Sequence, residues 1–276
     1  MTVPVPTIPA LALREITCRF ASRDGRGTYT AVENATLVVA PGEFVSVVGP
    51  TGCGKSTLLN VAAGLLTPSS GTVEVFGERL DGTKGVNRRA GYMFQTDALM
   101  PWRSAIQNVT AGLEFRGVAR RDATERAQDW LRRVGLAGFG DRYPHQLSGG
   151  MRKRLALAQT LIVDPDILLM DEPFSALDVQ TRQLMENELL ALWAADRKSV
   201  VFITHDLEEA IALSDRVVAL SAGPATRPIG EFAIDLARPR DVAEIRMDPG
   251  FMRLHTEIWQ TMKEEVLKAY ARQKAA

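Results

Sequence analysis

The sequence predicts an α/β fold with a helical insertion, and two observations carry that prediction. Short runs rich in β-branched and aliphatic residues recur along the chain at Phe44–Val48, Ile167–Met170, Ser199–Thr204 and Val217–Leu220, and the first is bounded by Gly49. Such runs are too short for ordinary helices and suit buried strands. The middle of the chain, roughly residues 97–162, instead carries helical periodicity and no strong strand.

Taken in order, residues 1–10 hold three prolines and read as a disordered lead-in. Leu11, Leu13 and Ile16, leading to Phe20, predict a strand; Gly25 and Gly27 mark a turn before a second strand region around Thr36–Val39. Pro41-Gly42 is a further turn signal ahead of the buried run at Phe44–Val48. A helix should run from about Lys55 to Leu65 on apolar Leu58, Leu59, Val61 and Ala62, stopped by Pro68 and Gly71, with a short strand at Thr72–Phe76. Within the insertion, Ala123, Ala127, Trp130, Leu131 and Val134 share one helical face, and Ser148 caps a helix reaching Ile162. Asp206 is the N-cap of a helix from Leu207 to about Ser214. Beyond Gly223 comes a stretch containing Arg238-Pro239-Arg240, then a long amphipathic helix with Phe251, Leu254, Ile258, Met262, Val266 and Tyr270 on one stripe.

At 276 residues the chain suits one large domain, or one core with an inserted subdomain. Its 46% hydrophobic and 24% charged residues are ordinary for a globular protein. A formal net charge of zero removes any bulk electrostatic case for nucleic acid or anionic lipid. No run approaches the ~20 apolar residues that span a bilayer, so any membrane role is expected to be peripheral. The N-terminus lacks a basic region followed by an apolar one and reads as no signal peptide. Two cysteines, Cys18 and Cys53, cannot build a disulfide framework, which suits a reduced, cytoplasmic protein.

Gly49-Pro50-Thr51-Gly52-Cys53-Gly54-Lys55-Ser56 follows a predicted strand and opens a predicted helix. Its glycines let successive backbone N–H groups converge on phosphate oxygens, and the helix N-terminus adds partial positive charge. Lys55 would neutralise β- and γ-phosphates, Ser56 would ligate magnesium, and Thr57 could donate to a neighbouring phosphate. The strand at Ile167–Met170 ends in Asp171, suited to holding magnesium, and Glu172, suited to acting as general base on water. His205 closes another strand, where ligands of α/β sheets bind, and could orient water; His145 and His255 have no such placement. Gln95 closes the short run Gly91–Phe94 and could contact both magnesium and water. Phe20 is a candidate to stack on an adenine ring, equally readable as a core phenylalanine, and Tyr29 competes with it. Cys53, at a helix N-terminus beside Lys55, is expected to have a depressed pKa and to react readily unless nucleotide shields it. Leu147-Ser148-Gly149-Gly150 is a second glycine turn opening a helix, with no evident task toward the first loop's nucleotide. It suggests a site completed by a second copy of the chain.

The order of phosphate loop, Gln95, Leu147-Ser148-Gly149-Gly150, Asp171-Glu172, Ser175-Ala176-Leu177-Asp178 and His205 resembles the ATP-binding subunit of an ABC transporter, over about residues 11–222. The resemblance implies a P-loop NTPase core of mixed sheet and flanking helices, with an antiparallel β subdomain and the inserted α-helical subdomain at about 97–162. Residues 223–276 form a C-terminal extension beyond it. It further implies that Ser148, Gly149 and Gly150 bind the γ-phosphate held by a partner subunit, and that Asp178 lies at the dimer interface. Phe20 matches the position of the adenine-stacking aromatic. Two subunits would sandwich two ATP molecules with Mg2+, while the insertion and the segment after Gln95 contact membrane-spanning permease subunits at the cytoplasmic face. One departure stands out: Met151 replaces the glutamine usual in the family's signature.

A narrower resemblance joins Asp97–Val109, with its Met100-Pro101-Trp102, and Asp235–Asp241 to importers of nitrate, aliphatic sulfonates and taurine, which receive their solute from a binding protein; importers of pyrimidine precursors share these features, so the resemblance leaves the solute open. The competing class is a soluble ABC-type ATPase acting on nucleic acid or ribosomes. Those relatives carry two ATPase units or a long coiled-coil insertion, and this chain has one unit, no heptad array and no basic patch. An ordinary P-loop kinase or GTPase leaves Leu147–Gly150 and His205 unexplained.

Overall fold

The computed structural model describes residues 8–21, 27–80 and 87–275. Most of the predicted lead, residues 1–7, and the turn residue Gly25 lie outside the described residues. The end of that lead is structured, contrary to expectation. Ala10 is fully buried, donates its N–H to the Val39 carbonyl at 2.9 Å and accepts from the Phe76 N–H at 3.1 Å.

Strand β1 (Leu11–Ala21) pairs antiparallel with β2 (Thr28–Val39). The second strand is longer than predicted because Glu33, Asn34 and the exposed Thr28 and Tyr29 hide its pattern, and Asn34 sits at φ 49°, where the register shifts. Strand β3 (Phe44–Val48) leads through the glycine loop into helix α1 (Lys55–Ala62). That helix stops short of Leu65 because Gly64 takes a left-handed φ of 70°. Strands β4 (Ser70–Val75), β5 (Glu78–Arg79) and β6 (Ala90–Met93) follow, then the insertion with α2 (Ala105–Phe115), α3 (Arg120–Arg133) and α4 (Gly149–Leu161). The chain returns through β7 (Ile167–Asp171), α5 (Val179–Asp196), β8 (Ser199–Thr204), α6 (Leu207–Leu213) and β9 (Arg216–Leu220). It ends with β10 (Pro228–Ala233) and α7 (Pro249–Ala275). Neither α5 nor β10 was among the expected elements: β10 is a half-exposed edge strand, and α5 leaves Leu184 59% exposed while burying Met185 and Leu189.

Two sheets result. The antiparallel sheet has order β2-β1-β4-β5, and the central sheet has order β10-β9-β3-β8-β7-β6, parallel except for its β10 edge. The continuous apolar runs of the central strands have a simple cause. Successive side chains point to opposite faces, and both faces are covered. Phe44, Val48, Leu168, Met170, Val200 and Phe202 enter a core with α5, α6 and α7. Val45, Val47, Ile167, Leu169, Val201 and Ile203 enter another with α1 and the antiparallel sheet. The insertion builds its own core from Val109, Leu113, Ala127, Leu131, Leu155 and Ile162.

The C-terminal segment is clasped to the core by two arginines. Arg238 pairs with Asp215 at 2.8 Å, and its guanidinium lies 4.2 Å from the Trp193 ring centre. Arg240 is buried and donates to the carbonyls of Ile211, Ala212 and Ser214 at the end of α6, and to those of Ile234 and Leu236. Burial lowers its pKa to about 10, so it stays charged at neutral pH, where a cation at a helix C-terminus is favoured. Beyond the clasp, Phe251, Leu254, Ile258 and Met262 of the predicted stripe are buried, Val266 is half-buried and Tyr270 is exposed.

Glu186 of α5 and Glu209 of α6 face each other in the core between Arg182, Asp206 and Arg246, with Thr204 donating to Glu209. Burial pushes both carboxyls above their ordinary 4.5, so the folded state retains a proton that the unfolded chain gives up. The sign follows from linkage. The penalty is absent below pH 4.5 and grows as pH rises toward the folded values. The stability of Glu209→Gln, measured by urea unfolding across that range, should therefore fall less steeply with pH than that of the unsubstituted protein.

Candidate functional site

The parallel ladders bring three strand ends to one edge. Val48 of β3 pairs with Thr204 of β8, and Ile203 of β8 pairs with Asp171 of β7. The next residues, Gly49, His205 and Glu172, therefore emerge side by side, at the C-terminal edge where α/β sheets bind ligands.

The glycines of the loop are there for space and for backbone conformation. A Cβ on Gly49 would lie 2.9 Å from Cys53 Sγ and 3.1 Å from Leu220. Gly54 has φ 113°, and a Cβ there would meet Val32 at 3.2 Å and the Ala31 carbonyl at 3.3 Å. Helix α1 starts on Gly54 without any side-chain cap bond, which leaves its first N–H groups available to an anion. Pro50 is buried, while Thr51 and Gly52 are exposed at the crest and Thr57 is half-buried one turn inward. Lys55 is 5% exposed, and its ammonium donates to the carbonyls of Gly49 at 2.9 Å and Pro50 at 3.2 Å.

Ser56 Oγ donates to Asp171 Oδ1 at 3.1 Å, joining the two residues expected to hold magnesium. Burial pushes the Asp171 carboxyl up, and the Ser56 hydrogen bond opposes that shift. Glu172 adopts φ 42°, an uncommon region for a non-glycine residue, and its N–H donates to the Ile203 carbonyl at 3.0 Å. Its carboxylate is ringed by three groups: His205 Nδ1 at 3.0 Å, Gln95 Nε2 at 3.3 Å and Lys55 Nζ at 3.9 Å. Of the four residues proposed for catalysis, three thus converge on the carboxylate of the fourth.

Among the supporting residues, only Asp206 was legible in sequence. Lys153 of α4 is buried, donates to the Gln95 carbonyl at 2.7 Å and pairs with Asp97 at 2.9 Å. Thr204 Oγ1 accepts from the Asp206 N–H at 3.0 Å, and Asp206 Oδ1 accepts from Glu208 and Glu209, which fixes the backbone on either side of His205. The one sequence signal was the N-cap aspartate; a buried lysine has no local signature.

Ser148, Gly149, Gly150 and Asp178 form a second cluster. Ser148 Oγ accepts from the Met151 N–H at 3.3 Å, and Asp178 Oδ1 from the Thr181 N–H at 3.0 Å. Gly150 lies against α5, where a Cβ would come within 2.8 Å of Thr181. Both carry out cap roles in their own helices. The Met151 side chain is partly buried against the insertion's core.

Phe20 and Tyr29 face each other across the β1–β2 ladder and are 38% and 43% exposed. Exposure excludes the core reading of Phe20, and both rings lie at the outer end of the strand pair that abuts Gly54. Cys53 departs from expectation. It is 2% exposed, and burial pushes its thiol up, outweighing the opposing influence of Lys55.

The ABC transporter family profile matches residues 32–175. The chain is 48% identical over 240 residues to an uncharacterized ABC transporter ATP-binding protein of Methanocaldococcus jannaschii, covering 87% of this chain and 86% of that protein. It is 43% identical over 259 residues to a taurine import ATP-binding protein of Burkholderia pseudomallei, covering 92% of this chain and 97% of that protein. Among solved structures, a dimeric post-hydrolysis state of an ATP-binding cassette bound to ADP and Pi superposes with a TM-score of 0.73 at 32% identity, over 82% of this chain and 100% of that one.

Burial of the Cys53 thiol makes a direct test. Maleimide labelling of Cys53, read by peptide mass spectrometry, should be slow in the folded protein and fast only in denaturant; fast labelling of the native, nucleotide-free protein would contradict the burial argument.

Proposed function

Because the chain belongs to the ABC transporter family as an ATP-binding, ATP-hydrolysing subunit, we propose that it powers an importer of a small anion or sulfonate through a separate membrane permease. The observation that carries the catalytic part is the Glu172 carboxylate, held by His205, Gln95 and Lys55 beside the Ser56–Asp171 pair. Bound ATP would supply the γ-phosphoryl group that water attacks, and Mg2+, held by Ser56 and Asp171, would offset charge on its phosphates. Ser56 Oγ and Asp171 Oδ1 offer two hard oxygen donors, which suits magnesium.

Each residue then has a task. The N–H groups at the start of α1 receive phosphate oxygens, with Gly49 through Thr57 shaping the cradle. Lys55, already directed along the loop, neutralises the β- and γ-phosphates. Glu172 accepts the proton of the attacking water, and its strained backbone and three neighbours hold its carboxylate in place. His205 and Gln95 orient that water, and the Gln95 amide would offer magnesium a further oxygen donor. Phe20 or Tyr29 stacks on the adenine.

The Ser148–Gly150 turn and Asp178 face a second copy of the chain, whose nucleotide they help enclose. The dimeric cassette to which this chain is similar supports that arrangement. Closure of the two subunits and reopening after hydrolysis drive the permease. The insertion provides its docking face, which the 73% exposure of Trp102 and 83% exposure of Phe115 support. The subunit works peripherally on the cytoplasmic face of the membrane; no described helix is long and apolar enough to cross one. Similarity to the taurine import protein supports a sulfonate-like solute, which a separate solute-binding protein would deliver.

Two measurements test the reading. Co-purification from native membranes should recover a permease, and ATPase activity of that complex should rise with the right anion or sulfonate. Glu172→Gln should lower turnover by about 10²–10⁴-fold while retaining ATP and accumulating as a closed dimer in light scattering; normal turnover without a dimer would remove Glu172 as the base.

A further inference from the structure

The segment from Ser221 to Arg227 runs directly behind the phosphate loop. A Cβ on Gly223 would lie 3.4 Å from Cys53 Cα. Thr226 is fully buried, and its hydroxyl donates to the Cys53 carbonyl. Its backbone is held independently. The Thr226 N–H donates to the Ala31 carbonyl at 3.1 Å, its carbonyl accepts from Glu33 at 3.0 Å, and the Ala225 N–H donates to Thr30 at 2.8 Å. The hydroxyl therefore projects from the β2 edge, a fixed platform.

We infer that Thr226 is a positioning residue for nucleotide binding, fixing the Cys53–Gly54 peptide in the phosphate cradle, and that α7 holds the segment that carries it. A trans peptide is planar, and its C=O and N–H point in opposite directions. Pinning the Cys53 carbonyl onto Thr226 turns the Gly54 N–H to the opposite side, away from Thr226. Gly54 needs this restraint more than other residues, because glycine at φ 113° has alternative conformations of similar energy. A cradle already oriented spends less binding energy on ordering itself.

Helix α7 closes the segment from the outside. Glu265 Oε2 accepts from the Ala222 N–H at 2.7 Å, and Arg272 donates to the Gly223 carbonyl. The segment is tied at its base, where Ser221 N–H donates to the Arg227 carbonyl at 2.9 Å and Arg227 N–H to Ser221 Oγ at 3.1 Å. The C-terminal helix thereby bears on the glycine loop through the Ser221–Arg227 segment.

The inference rests on the reading of Gly49–Thr57 as the ATP cradle, and the test separates the two. ATP affinity of the full chain is measured by isothermal titration, and KM and kcat by ATPase assay, for Thr226→Val, Thr226→Ser, Glu265→Ala and Lys55→Ala. Thr226→Val keeps the shape and removes the hydroxyl. It should weaken ATP binding about tenfold, the scale of one oriented hydrogen bond, raise KM in step and leave kcat within about twofold. Thr226→Ser should restore affinity, which a general loss of packing would not allow. Glu265→Ala should weaken binding roughly two- to threefold. Unchanged affinity in Thr226→Val, or equal loss in Thr226→Ser, with Lys55→Ala unable to bind, overturns the role of Thr226 and leaves the cradle standing. Unchanged affinity in Glu265→Ala overturns the share given to α7. Full binding by Lys55→Ala overturns the cradle reading itself.

Discussion

The backbone ladders that pair β3 with β8 and β8 with β7 set Val48 beside Thr204 and Ile203 beside Asp171. That register makes the site. The three strands contribute a glycine-rich loop, a histidine and a pair of carboxylates, and a slip of one residue would send each to the opposite face of the sheet. The register is protected because both faces are buried. Phe44 and Phe202 are committed to one core, and Val45 and Val201 to the other, so a slipped strand would misplace every side chain at once. Chemistry at the strand ends is thus stabilised by hydrophobic burial along their lengths.

Around this rigid edge the protein places charges in pairs or against helix ends. The Glu172 carboxylate is approached by a lysine, an amide and an imidazole, while Arg240 has the carbonyls at the end of α6 as its counter-charge. Helix α6 is consequently fixed at both ends, by Asp206 at its start and by Arg240 at its finish. His205 immediately precedes that helix, so the C-terminal segment contributes to the geometry of the site through α6 as well as through Thr226. The insertion makes a similar connection from the other direction, since Lys153 ties α4 to the Gln95 carbonyl.

Much of the site was legible because its signals are local. A glycine-rich loop between a strand and a helix, an Asp-Glu pair ending an apolar run, and Ser148 and Asp206 as caps each depend on neighbours a few residues away. Elements were missed where the pattern is diluted. The first half of β2 carries polar residues and a register shift, and β10 is half-exposed at a sheet edge. The expectation for Cys53 failed for a related reason. Proximity to Lys55 and a helix N-terminus was readable, but burial beneath β2, Leu220 and the Ser221–Arg227 segment was not, and desolvation outweighs the charge.

The sequence by itself determined the kinds of chemistry present and their order along the chain, because backbone conformation at glycines, helix caps and apolar alternation are short-range preferences. The tertiary structure alone decided which strand ends meet, that three groups ring Glu172, that Met151 is partly buried against the insertion's core, and that Thr226 stands behind Cys53. The last two residues are 173 positions apart, and their contact follows from strand order and register. Burial and long-range pairing are properties of the packed whole, and no local run of residues encodes them.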